Sequence, residues 1–170
     1  FSEYAQPVQL TPSPVDLHHL IQDVIELHQQ QPNQPEYVFQ FEENLPNAVA
    51  DAAALRQILN NLILNSRDAL LGIENPQTTI STSSKMIKER QYLAIHFADN
   101  GPGFPQDLLG SIFDPYVTTK EKGTGLGLAI SRRLVSEMGG EIRAENRNIG
   151  GATVIIELLA DVHSDSLSNQ

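Results

Sequence analysis

Residues 118–130 read TTKEKGTGLGLAI, and this stretch governs how the rest of the chain is interpreted. It passes from polar and cationic residues through three alternating glycines, Gly123, Gly125 and Gly127, into an apolar segment that starts a helix. Glycine lets the backbone approach a ligand closely, and the first N–H groups of a helix suit a phosphate. A flexible loop before an ordinary amphipathic helix is the simpler interpretation of such a run alone, so the other segments must decide.

The composition indicates one domain of ordinary size that is neither membrane-spanning nor broadly nucleic-acid-binding. The chain has 170 residues, 40% of them hydrophobic, and a formal net charge of −10. No apolar run is long enough to cross a bilayer, and a basic footprint for nucleic acid is missing. The absence of cysteine excludes disulfides and thiolate catalysis. Since the chain starts at Phe1 without a signal peptide, we expect a cytoplasmic piece of a longer protein, whose parent could be anchored in the inner membrane.

Hydrophobic periodicity predicts helices at about 16–30 and 52–72, with Asp16 and Asp51 as their N-terminal caps. A third helix is predicted from the glycine run to Met138, ending at Gly139 and Gly140, and a short one at 105–112. Extended segments are predicted at 37–41, 45–49, 77–86, 91–98, 141–146 and 152–159, the last two as a hairpin. This order favours an α+β fold, a two-layer α/β sandwich whose mixed, mostly antiparallel sheet is covered on one face by helices. Residues 1–14 are interpreted as a linker or the end of an upstream hairpin, 15–160 as the domain and 161–170 as a disordered tail.

Three polar side chains share one face of the second helix. Asn61, Asn65 and Asp68 are spaced i, i+4 and i+7 beside the apolar stripe. Amide oxygens suit a hard cation, and Mg²⁺ takes one or two protein oxygens and fills its shell with phosphate and water. Capping or hydrogen bonding between helices explains the same pattern equally well, so the helix alone leaves both interpretations open.

The segment DNGPG at 99–103 ends a strongly apolar strand. Asp99, if buried and ionised, could accept a hydrogen bond from the exocyclic amine of adenine, although such a string is more often only a turn. Neither the Walker A pattern nor G-x-G-x-x-G is present. The adjacent His18 and His19 are interpreted as surface residues rather than metal ligands.

Five short motifs follow one another along the chain: NLILNS at 61–66, DNGPG at 99–103, FDPY at 113–116, GTGLGL at 123–128 and GGAT at 150–153. They resemble the N, G1, F, G2 and terminal glycine–threonine boxes of the catalytic ATP-binding domain of bacterial sensor histidine kinases. That family belongs to the wider GHKL group with gyrase, Hsp90 and MutL. The resemblance covers about residues 15–160. Within the family, the sequence is most similar to the nitrogen-regulation type of kinase.

The resemblance implies a Bergerat ATP-binding fold, with ATP and Mg²⁺ held between the sheet and its helices. Asn65 would bind the Mg²⁺ that bridges the phosphates, Asn61 would support the phosphates or the metal shell, and Lys120 would approach the phosphates. These three are the expected catalytic residues. Asp99 would hold the adenine amine, with Thr153 behind it through water.

The resemblance also implies a lid over the nucleotide, formed by about residues 104–125 and anchored by Phe113 and Tyr116. Further residues are expected to line the nucleotide through their backbone or side chains: Arg67, Asp68, Gly101, Gly103, Phe113, Tyr116, Gly123, Thr124, Gly125, Leu126, Gly127 and Leu128.

Two positions depart from the family pattern. Asp68 stands where many sensor kinases have a phosphate-contacting lysine, so Arg67 or Lys120 is expected to replace it. Asn61 stands where the ATP-hydrolysing relatives have a glutamate general base, and an amide cannot abstract a proton. This favours phosphoryl transfer to a histidine over hydrolysis by water.

The phosphoaccepting histidine is not recognisable in this chain, because none of the five histidines has the family's His-Glu/Asp context with a proline three residues later. The expected partners are therefore ATP, an upstream dimerisation and histidine-phosphotransfer domain, and a response-regulator receiver domain. The parent is expected to be a homodimer, and this piece to contact neither nucleic acid nor membrane. The alternatives are a GHKL-type ATPase and a nucleotide-sensing pseudokinase module.

Overall fold

The computed structural model describes residues 9–117 and 127–162, and the chain there forms three helices and seven strands. In chain order these are β1 (Ser13–Val15), α1 (Leu17–Gln29), β2 (Glu36–Gln40), β3 (Ala48–Ala50), α2 (Ala52–Ala69), β4 (Gln77–Ile87), β5 (Arg90–Asp99), α3 (Gly127–Glu137), β6 (Glu141–Asn146) and β7 (Ala152–Leu159). A single turn of 3₁₀ helix, Leu109–Ser111, lies between β5 and α3. None of the helices in these ranges is both long and apolar enough to cross a membrane.

Five strands form the main sheet in the order β2-β4-β5-β7-β6. The pair β2–β4 is parallel, and the other three pairs are antiparallel. β1 and β3 form a separate antiparallel pair. The mixed, mostly antiparallel sheet predicted from the sequence is therefore confirmed, as is the β6–β7 hairpin.

The core lies between the sheet and the three helices. Alternate residues of the central strands face the helices, because successive strand residues point to opposite faces. The largest side chains with 1% exposure or less come from both layers: Leu17, Ile21, Ile25, Leu55, Ile58, Leu59, Ile63, Ile80, Leu93, Ile95, Ile156 and Leu158. The helix layer thus covers one face of the sheet, as expected.

Aspartate caps begin the first two helices at the predicted places. Asp16 accepts a hydrogen bond from the His19 N–H at 3.2 Å. Asp51 accepts one from the Ala54 N–H at 3.0 Å, and its other oxygen accepts one from the Thr11 N–H at 2.8 Å. These backbone bonds lower the pKa of Asp51 below its ordinary value. Each cap satisfies an N–H that the helix itself leaves unpaired.

Three local predictions differ from the structure. The helix predicted at 105–112 is only the 3₁₀ turn Leu109–Ser111, because its few apolar residues do not make a continuous stripe. Ser13 and Pro14, which were expected in the linker, belong to β1. His18 is partly buried rather than a surface residue: its ring stacks on Phe41 at 4.2 Å, and its Nε2 lies 2.7 Å from the Thr82 hydroxyl.

The helix-free face of the sheet carries one buried carboxylate. Glu157 has a side chain that is 7% exposed and lies beside two half-exposed cations, Lys85 at 3.0 Å and Arg143. Burial alone would raise the pKa of Glu157, but the bonds from Arg143 and Lys85 outweigh it, so the pKa lies below its ordinary value. The ionised form is therefore preferred in the folded protein, and this ion-paired group links β4, β6 and β7.

We expect Glu157→Gln to lower the free energy of unfolding by about 1–2 kcal/mol at pH 7, because a buried charge-assisted network loses its anion. A group with a depressed folded pKa contributes stability above its unfolded value, near 4.5, and that contribution is lost as pH falls through the folded pKa. Urea unfolding from pH 7 to pH 3 should therefore show the two proteins converging in acid. An undiminished difference at pH 3 would contradict the ionic role. Glu89→Gln, at an exposed turn position, is the matched control.

Candidate functional site

A cleft opens between α2 and the sheet, near the end of β5. One side of it is apolar, and three polar side chains, those of Asn65, Ser66 and Asp99, also lie in its wall. The full lining is Leu62, Asn65, Ser66, Phe97, Asp99, Leu128 and Val154, contributed by α2, β5, α3 and β7. A largely apolar cleft with a few convergent polar groups is the usual form of a small-molecule site.

Asp99 is oriented by the backbone around it. Its Oδ1 accepts hydrogen bonds from the Gly101 N–H at 2.9 Å and the Ala152 N–H at 3.3 Å, while neither bond reaches Oδ2. Burial raises the pKa of Asp99, and the two N–H bonds and the charge of Arg147 oppose that effect. One carboxylate oxygen is thus fixed by the protein, and the other is available to a ligand donor.

The turn after Asp99 is held by a residue that the sequence analysis did not single out. Asn100 accepts a hydrogen bond from the Gln77 N–H at 2.8 Å through its Oδ1, and its Nδ2 donates to the Asn75 carbonyl at 3.0 Å. These bonds tie the turn to the start of β4. A turn-forming asparagine beside glycines was the signal that could have identified it.

Asn61 positions the start of α3. Its Nδ2 lies 3.4 Å from the Gly127 carbonyl and 3.5 Å from the Ser131 hydroxyl, and that hydroxyl donates to the same carbonyl at 2.9 Å. Asn65, one turn further along α2, lines the cleft together with Ser66, whose hydroxyl lies 3.1 Å from that of Thr78. The two asparagines therefore do different things: one contacts α3, and the other faces the cleft.

Arg67 does not lie at this site. Its guanidinium donates to Gln31 at 3.1 Å, beyond the end of α1. Two residues along a helix correspond to a rotation of about 200°, so a side chain at 67 points away from the face that carries Asn65. The prediction that Arg67 could replace the missing phosphate-contacting lysine is therefore not supported. Asp68 is exposed, and Lys120 lies outside the residues that the structure describes.

Thr153 is also placed away from Asp99. It pairs with Ala98 in the β5–β7 ladder, and strand residues of that parity face the helix-free side of the sheet. Its neighbour Ala152 supplies the backbone N–H that bonds Asp99. The terminal glycine–threonine motif therefore contacts Asp99 directly through the main chain of Ala152. The expected water-mediated contact of Thr153 stays a prediction.

Of the segment expected to form the lid, about residues 104–125, the structure describes residues 104–117. Phe113 packs against the core, which fits its expected anchoring role, whereas Tyr116 is 70% exposed. Asp114 lies 3.6 Å from Arg132 of α3. Of the glycine-rich motif, Gly127 begins the described part of α3 and Leu128 lines the cleft. Gly123, Thr124, Gly125 and Leu126 lie outside the described residues.

Across residues 9–117 and 127–162, no three histidine, cysteine, aspartate or glutamate side chains come together as a metal site. In the cleft, the amide oxygen of Asn65 would hold a divalent cation together with the phosphates of a bound nucleotide. The donor set fits Mg²⁺, which keeps few protein ligands in nucleotide sites.

Residues 50–162 match the family model described as histidine kinase-, DNA gyrase B-, and HSP90-like ATPase. The chain belongs to this family. It is thus an ATP-binding domain of the ATPase type, and the fold predicted from the sequence is the fold of this family.

Two curated relatives illustrate the similarity. Sensor histidine kinase ZraS of Escherichia coli K12 is 35% identical over 162 residues, which are 94% of this chain and 34% of that protein. A sensor histidine kinase of the NtrY-like type from Rickettsia bellii is 32% identical over 141 residues, 83% of this chain and 22% of that protein. The chain thus spans about a fifth to a third of the length of these relatives.

Solved structures of histidine kinases are also similar to this chain. The nucleotide-free catalytic domain of histidine kinase ThkA has a TM-score of 0.76 at 30% identity, covering 89% of this chain and 97% of that domain. Full-length ShkA in complex with AMPPNP has a TM-score of 0.73 at 31% identity, covering 92% of this chain and 33% of ShkA. ThkA in complex with the response regulator TrrA has a TM-score of 0.75 at 27% identity, covering 95% of this chain and 45% of that chain.

Proposed function

We propose that this chain is the catalytic domain of a two-component sensor histidine kinase, which transfers the γ-phosphoryl group of Mg-ATP to a histidine on another domain. The observation that carries the proposal is a single cleft lined by both Asp99 and Asn65, in a domain that matches a kinase catalytic domain over nearly all of its length. Such a cleft can hold a base with its carboxylate and a metal-bound triphosphate with its amide.

Adenine would lie against the apolar wall of the cleft. Asp99 would accept a hydrogen bond from its exocyclic amine through Oδ2, since Oδ1 is already occupied by two backbone N–H groups. Leu62, Phe97 and Val154 would contact the ring faces. Asn65 would then bind the Mg²⁺, which neutralises the phosphate charge during transfer.

The contacts of Asn61 support phosphoryl transfer over hydrolysis. In place of a general base, this position carries an amide that contacts the start of α3. An imidazole nucleophile already has a lone pair and needs no strong base, whereas water does. Catalysis would then depend on positioning and electrostatic stabilisation, as is usual for phosphoryl transfer.

The other domains and partners are part of the proposal. The phosphohistidine would lie on a dimerisation domain of the parent homodimer and would pass its phosphoryl group to an aspartate of a response-regulator receiver domain. The similarity to ThkA, which was solved with its response regulator TrrA, supports this order of partners. We infer a cytoplasmic location for the domain.

Phosphotransfer with labelled ATP tests the function directly. The chain is mixed with Mg²⁺, γ-labelled ATP and a separately produced phosphoacceptor domain of the parent protein. Acid-labile, base-stable label on the acceptor histidine is the expected result. Sustained phosphate release by the chain alone would favour the ATPase, and ATP binding without transfer or release would favour the nucleotide-sensing module.

We expect Asn65→Ala to weaken ATP binding at least about tenfold in the presence of Mg²⁺ and far less in EDTA, because the substitution removes a metal ligand. Isothermal titration calorimetry under both conditions measures the difference. Gln57→Ala, at an exposed position of the same helix, is the control and should change neither value. Equal losses with and without Mg²⁺ would refute the metal role of Asn65.

A further inference from the structure

Asn146 of β6 forms hydrogen bonds with both backbone polar groups of Phe104, which follows the turn after Asp99. The Phe104 N–H donates to Asn146 Oδ1 at 2.8 Å, and Asn146 Nδ2 donates to the Phe104 carbonyl at 2.8 Å. The side-chain amide thus satisfies both polar groups of one residue, as a neighbouring strand would. Phe104 is thereby tied to β6 across 42 residues of sequence.

Gly103, the residue before Phe104, has a backbone conformation that allows the contact between Phe104 and Asn146. Gly103 has φ +82°, and a Cβ at this position would lie 2.8 Å from Asn146 Oδ1 and 3.1 Å from the Gly151 carbonyl. Only glycine fits there without displacing the asparagine. The path of the backbone from 103 to 104 is therefore defined by Asn146 and the hairpin that carries it.

The same β6–β7 hairpin also holds Asp99, through groups other than Asn146. Arg147 donates through Nη1 to the Asp99 carbonyl at 2.7 Å, and the Ala152 N–H donates to its carboxylate. One hairpin thus bonds both the carboxylate proposed to bind adenine and the point where the chain leaves it. Substitution of Asn146 therefore removes the bonds to Phe104 and leaves the groups that bond Asp99 in place.

We propose that Asn146 is a positioning residue for the triphosphate end of ATP. It sets the direction in which the chain leaves the adenine-binding turn at Phe104, and so places the segment 105–117, whose far end contacts α3 through Asp114 and Arg132. Asn146 does not touch the base-binding carboxylate, so its effect reaches ATP through this segment. The inference rests on the proposed function, since it requires the cleft to bind ATP in the stated orientation.

Affinities for ATP and for adenosine, measured on Asn146→Ala, test the inference. We expect ATP to bind about tenfold more weakly, the effect of two lost hydrogen bonds, while adenosine affinity changes less than about twofold because Arg147 and Ala152 still hold Asp99. Asn148→Ala, an exposed position in the same hairpin, should change neither affinity. Amide hydrogen exchange should accelerate at Phe104 and remain unchanged at Gly101.

An unchanged ATP affinity in Asn146→Ala would overturn the inference, as would equal losses for ATP and adenosine, which indicate a merely structural role. If that variant fails to fold, Asn146→Ser, which keeps a polar group at the position, is measured under the same criteria. Failure of the wild-type chain to bind ATP would instead refute the proposed function, so the two failures can be told apart.

Discussion

Replacing Asp99 with asparagine is expected to weaken ATP binding by up to about a hundredfold and to abolish the preference for adenine over guanine. The wild-type Oδ1 accepts two backbone N–H groups, so the substituted amide must keep its oxygen there and turn its NH₂ toward the ligand. That NH₂ then faces the donor amine of adenine. In the opposite orientation the NH₂ faces Gly101 and Ala152, which are donors too. Losing a charged hydrogen bond and leaving a donor unpaired corresponds to about tenfold to hundredfold in affinity.

Competition between ATP and GTP measures this effect, with Asp23→Asn, at a partly exposed position of α1, as the control. A retained ATP-over-GTP preference in Asp99→Asn would contradict the adenine assignment. The pH dependence gives a second check. Because burial raises the pKa of Asp99, its carboxylate becomes protonated at a higher pH than an ordinary aspartate, and adenosine affinity should fall correspondingly early as pH is lowered. This part of the pH profile should be missing from Asp99→Asn.

Replacing Gly151 with alanine is expected to destabilise the fold by about 3 kcal/mol or more and to impair ATP binding in whatever fraction stays folded. Gly151 has φ +97°, and an added Cβ would overlap the backbone carbonyl of Asp99. The clash is with main chain on both sides, so no rotamer change can relieve it. Relief requires β5 and β7 to move apart, which also breaks the Ala152 bond to the Asp99 carboxylate.

The neighbouring Gly150 is a matched control, since it has the same φ of +97° but no atom within 4 Å of an added Cβ. Gly150→Ala therefore incurs only the backbone strain, about 1–2 kcal/mol. Chemical denaturation of both variants isolates the steric part as their difference. Equal destabilisation of the two variants would show that the close approach of Gly151 to Asp99 adds nothing to the loss of stability in Gly151→Ala.

Periodicity and end signals in the sequence predicted most of the fold. The caps at Asp16 and Asp51 and the glycines after Met138 lie within the same few residues as the helix ends they mark, so local chemistry suffices to place them. The 3₁₀ turn at Leu109–Ser111 and the strand at Ser13–Val15 could not be predicted this way. Both depend on what packs against a segment too short to be stable alone.

In the candidate site, too, some features could be predicted from the sequence and others depend on the tertiary structure. Asp99 and Asn65 were identified from motif order and helix spacing, and the structure brings them into one cleft. The Ala152 N–H that bonds Asp99 could not be predicted, because the register of β7 with β5 decides which backbone groups meet, and a one-residue difference reverses every side chain. Arg67 was considered from proximity in sequence, which says nothing about the opposite face of a helix.

By itself, the sequence determined the family, the layer architecture and the chemical identity of the groups proposed to hold the two ends of the nucleotide, because these follow from residue type, order and local periodicity. Only the tertiary structure decided how those groups are used: that Oδ1 of Asp99 is already bonded, that Asn61 contacts α3, and that Asn146 holds Phe104. The physical reason is that each of these is a directional hydrogen bond. Such a bond forms only when the fold brings a donor and an acceptor atom from segments distant in sequence to within about 3 Å of each other.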